Sequence, residues 1–190
     1  AIGRDLGFSC HGAPVLDFGA ETGRDAVRSL ARSMLGVDGA ADEATRRRAI
    51  ERASQARSMA PEQLLFLHDL LDVAPPAELR ALAAAMSMTA REQGSLHALC
   101  DIVATVGAAL PLLLVVEDIH WADAWTLERL AALAVLAAKQ PLLLVMTTRF
   151  AGDPSAGAWR TALHGAPLTG IDLGPLTIED SHRLAVLSST

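Results

Sequence analysis

The chain has 190 residues, a formal net charge of −6 and a pI near 5.4. Hydrophobic residues make up 51% of it and charged residues 20%, so it can bury a core and is not predicted to be disordered. Its acidity argues against a dedicated nucleic-acid binder, which usually presents a basic face. The longest uncharged stretch, Ile102–Val116, is too short to cross a bilayer and contains Pro111. We therefore expect no membrane and no nucleic acid among its partners.

The two cysteines, Cys10 and Cys100, fit neither a disulfide framework nor a zinc pattern. We expect both to be small core residues in a reducing compartment, which indicates a cytoplasmic protein. The first residues, AIGRDLGF, lack the layout of a signal peptide and contain no starting Met. We therefore expect the chain to begin inside a longer protein.

A first strand is predicted at His11–Phe18, followed by a helix that Thr22 and Asp25 would cap and Gly36 would end. Residues 24–109 form a long stretch of helical patterns without a further strand. This pattern predicts a large helical insert between two strands.

Three consecutive arginines, Arg46–Arg48, lie within this insert between Glu43 and Glu51. Arg47 is four residues from each of these acids, so the run is typical of a solvated helix face held by ion pairs. Binding of an anionic partner is the alternative for this run.

Two apolar runs without alternation, Leu112–Glu117 and Leu142–Thr147, predict strands buried on both faces. A helix at 124–139, with Asp123 as its N-cap, would connect them. A last strand is predicted at Ile171–Leu173. Strand, helix and strand in this order predict an α/β fold with a parallel sheet in three layers.

Polar residues follow both runs, where the carboxyl ends of parallel strands meet and ligands bind. Glu117 and Asp118 end the first run, and Thr147, Thr148 and Arg149 end the second. Two carboxylates suit Mg²⁺, which they would hold partly through water, and a nearby cation suits a phosphoryl group. The alternative is that strand ends are simply polar where they leave the core.

The wider sequence resembles a known family. Leu112–Ala134, LLLVVEDIHWADAWTLERLAALA, resembles the Walker B region of the STAND class of P-loop ATPases, which are related to AAA+ proteins. Leu142–Phe150 resembles the sensor strand of that class, and Ile171–Leu184 resembles its passage into a helical lid. Val15–Gly36 resembles the segment after its second strand. Within the class, the chain is similar to ATPase regions joined to class III adenylate or guanylate cyclases or to helix-turn-helix regulators.

The resemblance implies that Glu117 and Asp118 are catalytic and bind Mg²⁺ through water. Glu117 would stand at the magnesium position and Asp118 at the water-polarising position. The class more often has Asp first, so this division stays open. Arg149 would sense the phosphates of ATP, with Thr148 beside it.

The resemblance also implies that His120, Trp121 and Asp123 brace the turn after the strand. A metal site on His120 and Asp123 is an alternative, although two ligands are few. Trp121 and Trp125 either pack against the protein or bind a base, and packing is favoured.

The chain has one lysine, Lys139, and no Gly-rich loop, so it lacks the G-x-x-x-x-G-K-[ST] loop that holds phosphates. The resemblance then implies an incomplete P-loop NTPase (ASCE) core at 1–174, without strand 1 and the P-loop. Residues 175–190 would start the helical lid. ATP and Mg²⁺ would be cofactors of the full-length protein, and we expect neither to bind this chain tightly or to be turned over by it.

In the strand order of the class, 5-1-4-3-2, loss of strand 1 exposes the edge of the strand at Leu142–Thr147. We expect this edge to pair with another chain, to pair with Ile171–Leu173, or to remain a hydrophobic edge. Self-association through this edge and contacts with other domains of a longer protein are thus the expected interactions.

Two functions follow. The first is a regulatory ATPase switch domain of a signalling protein, and the second is a non-catalytic regulatory or interaction domain that keeps the fold. A hydrolase using Glu117 and Asp118 as a facing pair is disfavoured, because adjacent strand residues point to opposite faces.

Overall fold

The computed structural model describes residues 2–16, 22–56, 59–149, 153, 158–163 and 165–187. Within these ranges the strands are β1 (Ser9–Pro14), β2 (Leu112–Glu117) and β3 (Leu142–Met146). The helices are α1 (Ile2–Asp5), α2 (Thr22–Met34), α3 (Glu43–Ala56), α4 (Pro61–Leu70), α5 (Ala77–Ala85), α6 (Met88–Gly107), α7 (Ala124–Ala137), α8 (Ala158–Ala162) and α9 (Ile178–Leu187). The protein is therefore a mixed α/β structure, with a run of helices, α2 to α6, between its first two strands.

The three strands form one parallel sheet in the order β1-β2-β3. Leu112 of β2 lies opposite Ser9 on one side and Leu142 on the other. The parallel sheet and the bounds of β2 are as predicted from the sequence, and β3 ends one residue early.

The prediction for β1 was displaced toward the C-terminus. The strand begins at Ser9 rather than His11 and ends at Pro14, and the predicted residues Asp17 and Phe18 lie outside the described part of the chain. The backbone pairing sets this position, because Ser9 N–H donates to Pro111 O at 2.9 Å where the ladder starts.

The main core lies on one face of the sheet. Ala13, Leu112, Leu114 and Val116 point into it and are at most 2% exposed. Helices α2, α6 and α7 pack over this face. A right-handed crossover explains the arrangement, since β1 to β2 and β2 to β3 advance across the sheet in the same direction and so place their helices on the same side.

The opposite face of the sheet is largely open. Leu113 and Val115 are half-buried there, whereas Leu143 is 52% exposed and Val145 is also exposed. The short helix α1 lies against this face, since a Cβ on Gly3 would come 2.8 Å from the Leu113 side chain. The prediction of burial on both faces is therefore wrong for β3 among the described residues.

The strand predicted at Ile171–Leu173 is absent. These residues are described, form no strand, and leave the side chains of Ile171 and Leu173 exposed. A three-residue strand has no stability without a partner, and within the described ranges β3 pairs only with β2. Pairing of the β3 edge with Ile171–Leu173 is therefore wrong, and within the described ranges this edge has no partner from the same chain. Thr177 caps the helix that follows, because its Oγ1 accepts from Asp180 N–H at 3.1 Å.

The arginine run in α3 is partly structural. Arg47 pairs with Glu43 at 2.6 Å, as the spacing predicts. Arg46 instead donates to the carbonyl oxygens of Leu71 and Asp72, at 3.2 and 2.9 Å, in the turn after α4. Asp72 has a left-handed backbone with φ of 53°, so Arg46 fastens a strained turn to α3.

No helix formed by the described residues has both the length and the apolar character that a membrane crossing requires.

Two imidazoles, His11 on β1, which is half-buried, and His68 on α4, which is buried, are less basic than usual. Burial lowers the pKa of His11 below its ordinary 6.5, and the positive charge of Arg4 lowers it further. Burial also lowers the pKa of His68, on α4, and Arg47 adds to this effect. Both groups therefore resist protonation in the folded state.

We expect the free energy of unfolding to be highest above about pH 6.5 and to fall as the pH drops through the folded-state pKa values of His11 and His68. The unfolded chain binds these protons at a higher pH than the folded chain does, so acid favours unfolding. Urea unfolding between about pH 8 and pH 5 measures this slope. His68→Leu should remove part of it, and an unchanged slope would contradict the assignment.

Gly94 on α6 lets α4 approach closely, because an added Cβ there would overlap the ring of Phe66. Gly94→Ala should lower the free energy of unfolding by about 1–3 kcal/mol, although alanine is the better helix former. Gly107→Ala on the same helix is the matched control, since its Cβ would meet Leu112 at an ordinary 3.4 Å. Urea unfolding should show a much smaller loss for the control and a partial recovery when Phe66→Leu makes room.

Candidate functional site

The ends of β2 and β3 are tied together at the acidic pair. Asp118 N–H donates to Thr147 Oγ1 at 3.0 Å, and Ile119 N–H donates to Thr147 O at 2.9 Å. Asp118 has φ of 59° and ψ of 42°, a left-handed conformation that costs energy for a residue with a side chain. The chain therefore turns sharply at Asp118, and Thr147 holds the turn.

The two acids leave the sheet in different directions. Glu117 is the last residue of β2, is exposed, and by alternation lies on the open face with Leu113 and Val115. Asp118 lies after the strand, and its side chain is 49% exposed. The pair therefore presents two carboxylates at one strand end without making them face each other.

Thr148 and Arg149 follow β3 and are exposed. Thr148 Oγ1 donates to Arg149 O at 3.3 Å. Among the described residues, Arg149 makes no ion pair with Glu117 or Asp118. The structure thus brings Thr147 to Asp118 and leaves Arg149 on the same edge of the sheet as a separate cation.

His120 lies in a 3₁₀ turn, Ile119–Trp121, directly after Asp118. Its side chain is only 5% exposed, and its Nδ1 lies 3.8 Å from Asp118 Oδ1. Its ring packs against Trp121 with the centroids 4.9 Å apart. Trp121 keeps an exposed surface. The bracing role expected for His120 thus has a geometric basis in its burial beside Asp118.

Asp123 begins α7 as predicted, because its Oδ1 accepts from Thr126 N–H at 2.8 Å. This carboxylate is used by the helix N-terminus and makes no metal cluster with His120. In the described part of the chain no group of three or more His, Cys, Asp or Glu side chains could hold a metal ion. The arrangement therefore favours a structural role for Asp123.

Trp125 packs, as expected. The guanidinium of Arg129 lies 3.5 Å from the centroid of its ring, and Arg129 is fully buried. Arg129 also donates to Trp125 O at 3.1 Å and to Glu92 O on α6 at 3.2 Å. This contact between α6 and α7 was not predicted from the sequence. Its only sequence signal is an arginine four residues after a tryptophan on one helix face.

The donor set at the strand end fits a hard cation held partly through water. Glu117 and Asp118 offer carboxylate oxygens with access to solvent, and Mg²⁺ commonly binds one or two carboxylates and completes its shell with water and phosphate. The sequence predicted that Thr147 lies at this edge of the sheet. Its role, which is to hold the Asp118 backbone, was not predicted.

Comparisons of the chain with protein-family models, with curated proteins and with solved structures found no significant match.

The cap at Asp123 should stabilise the turn that carries the acidic pair. Asp123→Ala should lower the free energy of unfolding by about 1 kcal/mol, since Thr126 N–H loses its acceptor. Asp123→Ser, which keeps an acceptor, is the control and should lose only a few tenths. Thermal or urea unfolding measures both, and equal losses for the two variants would show that the cap contributes nothing.

Proposed function

We propose that this chain is the Walker B and sensor half of an ATP-binding regulatory switch domain of the STAND type. Its α/β fold would then be of the P-loop NTPase type. The observation that carries the proposal is the placement of Glu117 and Asp118 at the carboxyl end of the middle described strand. Thr147, Thr148 and Arg149 follow the neighbouring parallel strand at the same edge. Ligands of open parallel sheets bind at this edge.

The open edge of β3 supports the proposal. Within the described ranges β3 pairs on one side only, and no charged residue lies in Leu142–Met146 to discourage pairing on the other. A further parallel strand would fit beside it. In the strand order of the class, that position belongs to the strand that leads into the P-loop.

The open face of the sheet supports the same proposal by an independent argument. A strand beside β3 that is connected forward to β1 would cross the sheet in the direction opposite to the other crossovers. A right-handed crossover would then place its helix on the face that exposes Leu143 and Val145. One strand and one helix would thus cover both unpartnered surfaces.

The roles proposed for the site residues follow from charge and position. Glu117 and Asp118 would hold Mg²⁺ through water and orient the attacking water for in-line transfer of the γ-phosphoryl group. Arg149, an exposed cation on the neighbouring strand end, would bind phosphate oxygens, with Thr148 beside it. The protein would act in the cytoplasm within a multidomain signalling protein, such as one with a cyclase output.

A non-catalytic interaction domain is the second candidate, and a cavity in the insert favours it. This cavity, of about 200 Å³, opens among α2, α3, α4 and α6 and is mostly apolar. Its apolar lining residues are Leu35, Ala53, Met59, Leu67, Ala98, Ile102 and Val106. A cavity of this kind suits an apolar group of a partner and would operate without nucleotide.

Calorimetry with Mg-ATP tests the proposal on two polypeptides, the present chain and a longer one that carries a Gly-rich phosphate-binding loop ahead of residue 1. We expect binding only by the longer one, because phosphates need the backbone N–H groups of that loop. Micromolar binding by the present chain would overturn the half-site proposal. Absence of binding by both would favour the interaction domain.

Variants of the longer polypeptide test the assigned residues. Glu117→Gln and Asp118→Asn should each retain ATP binding and lower hydrolysis by about 100-fold or more. Glu62→Gln, an exposed charge on α4, is the control and should change neither. Hydrolysis that survives both acid substitutions would remove the catalytic role of the pair.

A further inference from the structure

The imidazole of His120 is a buried polar group without a hydrogen-bond partner. Both ring nitrogens are inaccessible to solvent and unpaired, and the side chain is 5% exposed. Buried polar groups in folded proteins are almost always hydrogen-bonded, so an unpaired one requires an explanation. The polar group that faces it is the carboxylate of Asp118, at 3.8 Å from Nδ1.

The gap between these two groups can close by movement of one side chain. A hydrogen bond between nitrogen and a carboxylate oxygen has a length of about 2.8 Å, so Oδ1 must move by about 1 Å. The Asp118 side chain is 49% exposed and has room to rotate, whereas the buried ring of His120 is held against Trp121. The Asp118 backbone is fixed by its hydrogen bond to Thr147, so rotation of the side chain is the movement available.

We propose that His120 is a positioning residue for Asp118, with His120 Nδ1–H donating to Asp118 Oδ1 and holding the carboxylate in one orientation. His120 Nδ1–H serves as the donor, so Nδ1, one of the two unpaired ring nitrogens, gains a partner. Asp118 thus has two side-chain positions, one turned to solvent and one held by His120. The functional meaning of the held position rests on the function proposed above.

The proposal also separates the roles of the two acids. Glu117 is exposed at the end of β2, and among the described residues no side chain holds its carboxylate. A cation bound through water tolerates a mobile carboxylate, whereas a group that orients an attacking water must itself be fixed. The held acid, Asp118, is therefore the water-orienting residue, and Glu117 is the magnesium-side residue.

A double-mutant cycle on the present chain tests the contact without any nucleotide. His120→Phe removes the nitrogens and keeps a ring, and Asp118→Gly removes the carboxylate at a left-handed position that glycine adopts freely. In the wild-type background, His120→Phe should raise the unfolding equilibrium constant by about tenfold, the loss of a hydrogen bond to a charged group. In the Asp118→Gly background, the same substitution should leave the constant unchanged or lower it, since an apolar ring suits the site.

Nitrogen-15 NMR of the His120 ring is the second measurement, and it needs only the wild type and Asp118→Gly. We expect the Nδ1–H tautomer in the wild type and a shift of the Nδ1 resonance in Asp118→Gly. If His120→Phe fails to fold, His120→Asn, which keeps a donor near Nδ1, replaces it in the cycle and should retain most of the coupling. Equal effects of the His120 substitution in both backgrounds, or an Nδ1 resonance indifferent to Asp118, would overturn the proposal. Neither result depends on ATP binding, so failure of the proposed function would be seen separately.

Discussion

Right-handed crossovers in a single direction are the constraint that shapes this protein. Because β1, β2 and β3 follow one another across the sheet in chain order, the helices that connect them lie on one side. On that side Leu112, Leu114 and Val116 are fully buried, whereas Leu143 on the other side is exposed. The asymmetry of the core is thus a consequence of strand order, and among the described residues it leaves Leu143 and Val145 exposed on the other face.

The same strand order determines where the candidate site lies. Parallel strands bring their carboxyl ends to one edge, which places the acidic pair beside Thr147. Thr147 then fixes the left-handed turn at Asp118, because its Oγ1 accepts from Asp118 N–H and its carbonyl oxygen accepts from Ile119 N–H. The site is therefore built on two strand ends rather than on a flexible loop, and its backbone is determined before any ligand arrives.

The sequence predicted the middle of the sheet well and its margins poorly. Five successive apolar residues located β2, and the run after Pro141 located β3, because a continuous apolar run that ends in polar residues is a strong strand signal. For β1, the apolar residues Val15, Leu16 and Phe18 moved the prediction toward the C-terminus, whereas pairing with β2 placed the strand at Ser9–Pro14. The prediction of a strand at Ile171–Leu173 was wrong, because a short strand depends on a neighbouring strand that the sequence does not reveal. The sequence of β3 also does not show which face of the strand is buried, since the residues on both faces are apolar.

The candidate site was predictable to the level of residues and not of contacts. The order of acids, His, Trp and Asp located the edge, but the burial of His120 and its distance from Asp118 depend on how the turn packs.

The left-handed backbone at Asp118 also limits which residues can occupy this position. Aspartate, asparagine and glycine occupy that conformation far more readily than glutamate does. Exchanging the two neighbouring acids would therefore strain the turn, so the order in which they occur is a requirement of backbone shape as well as of charge.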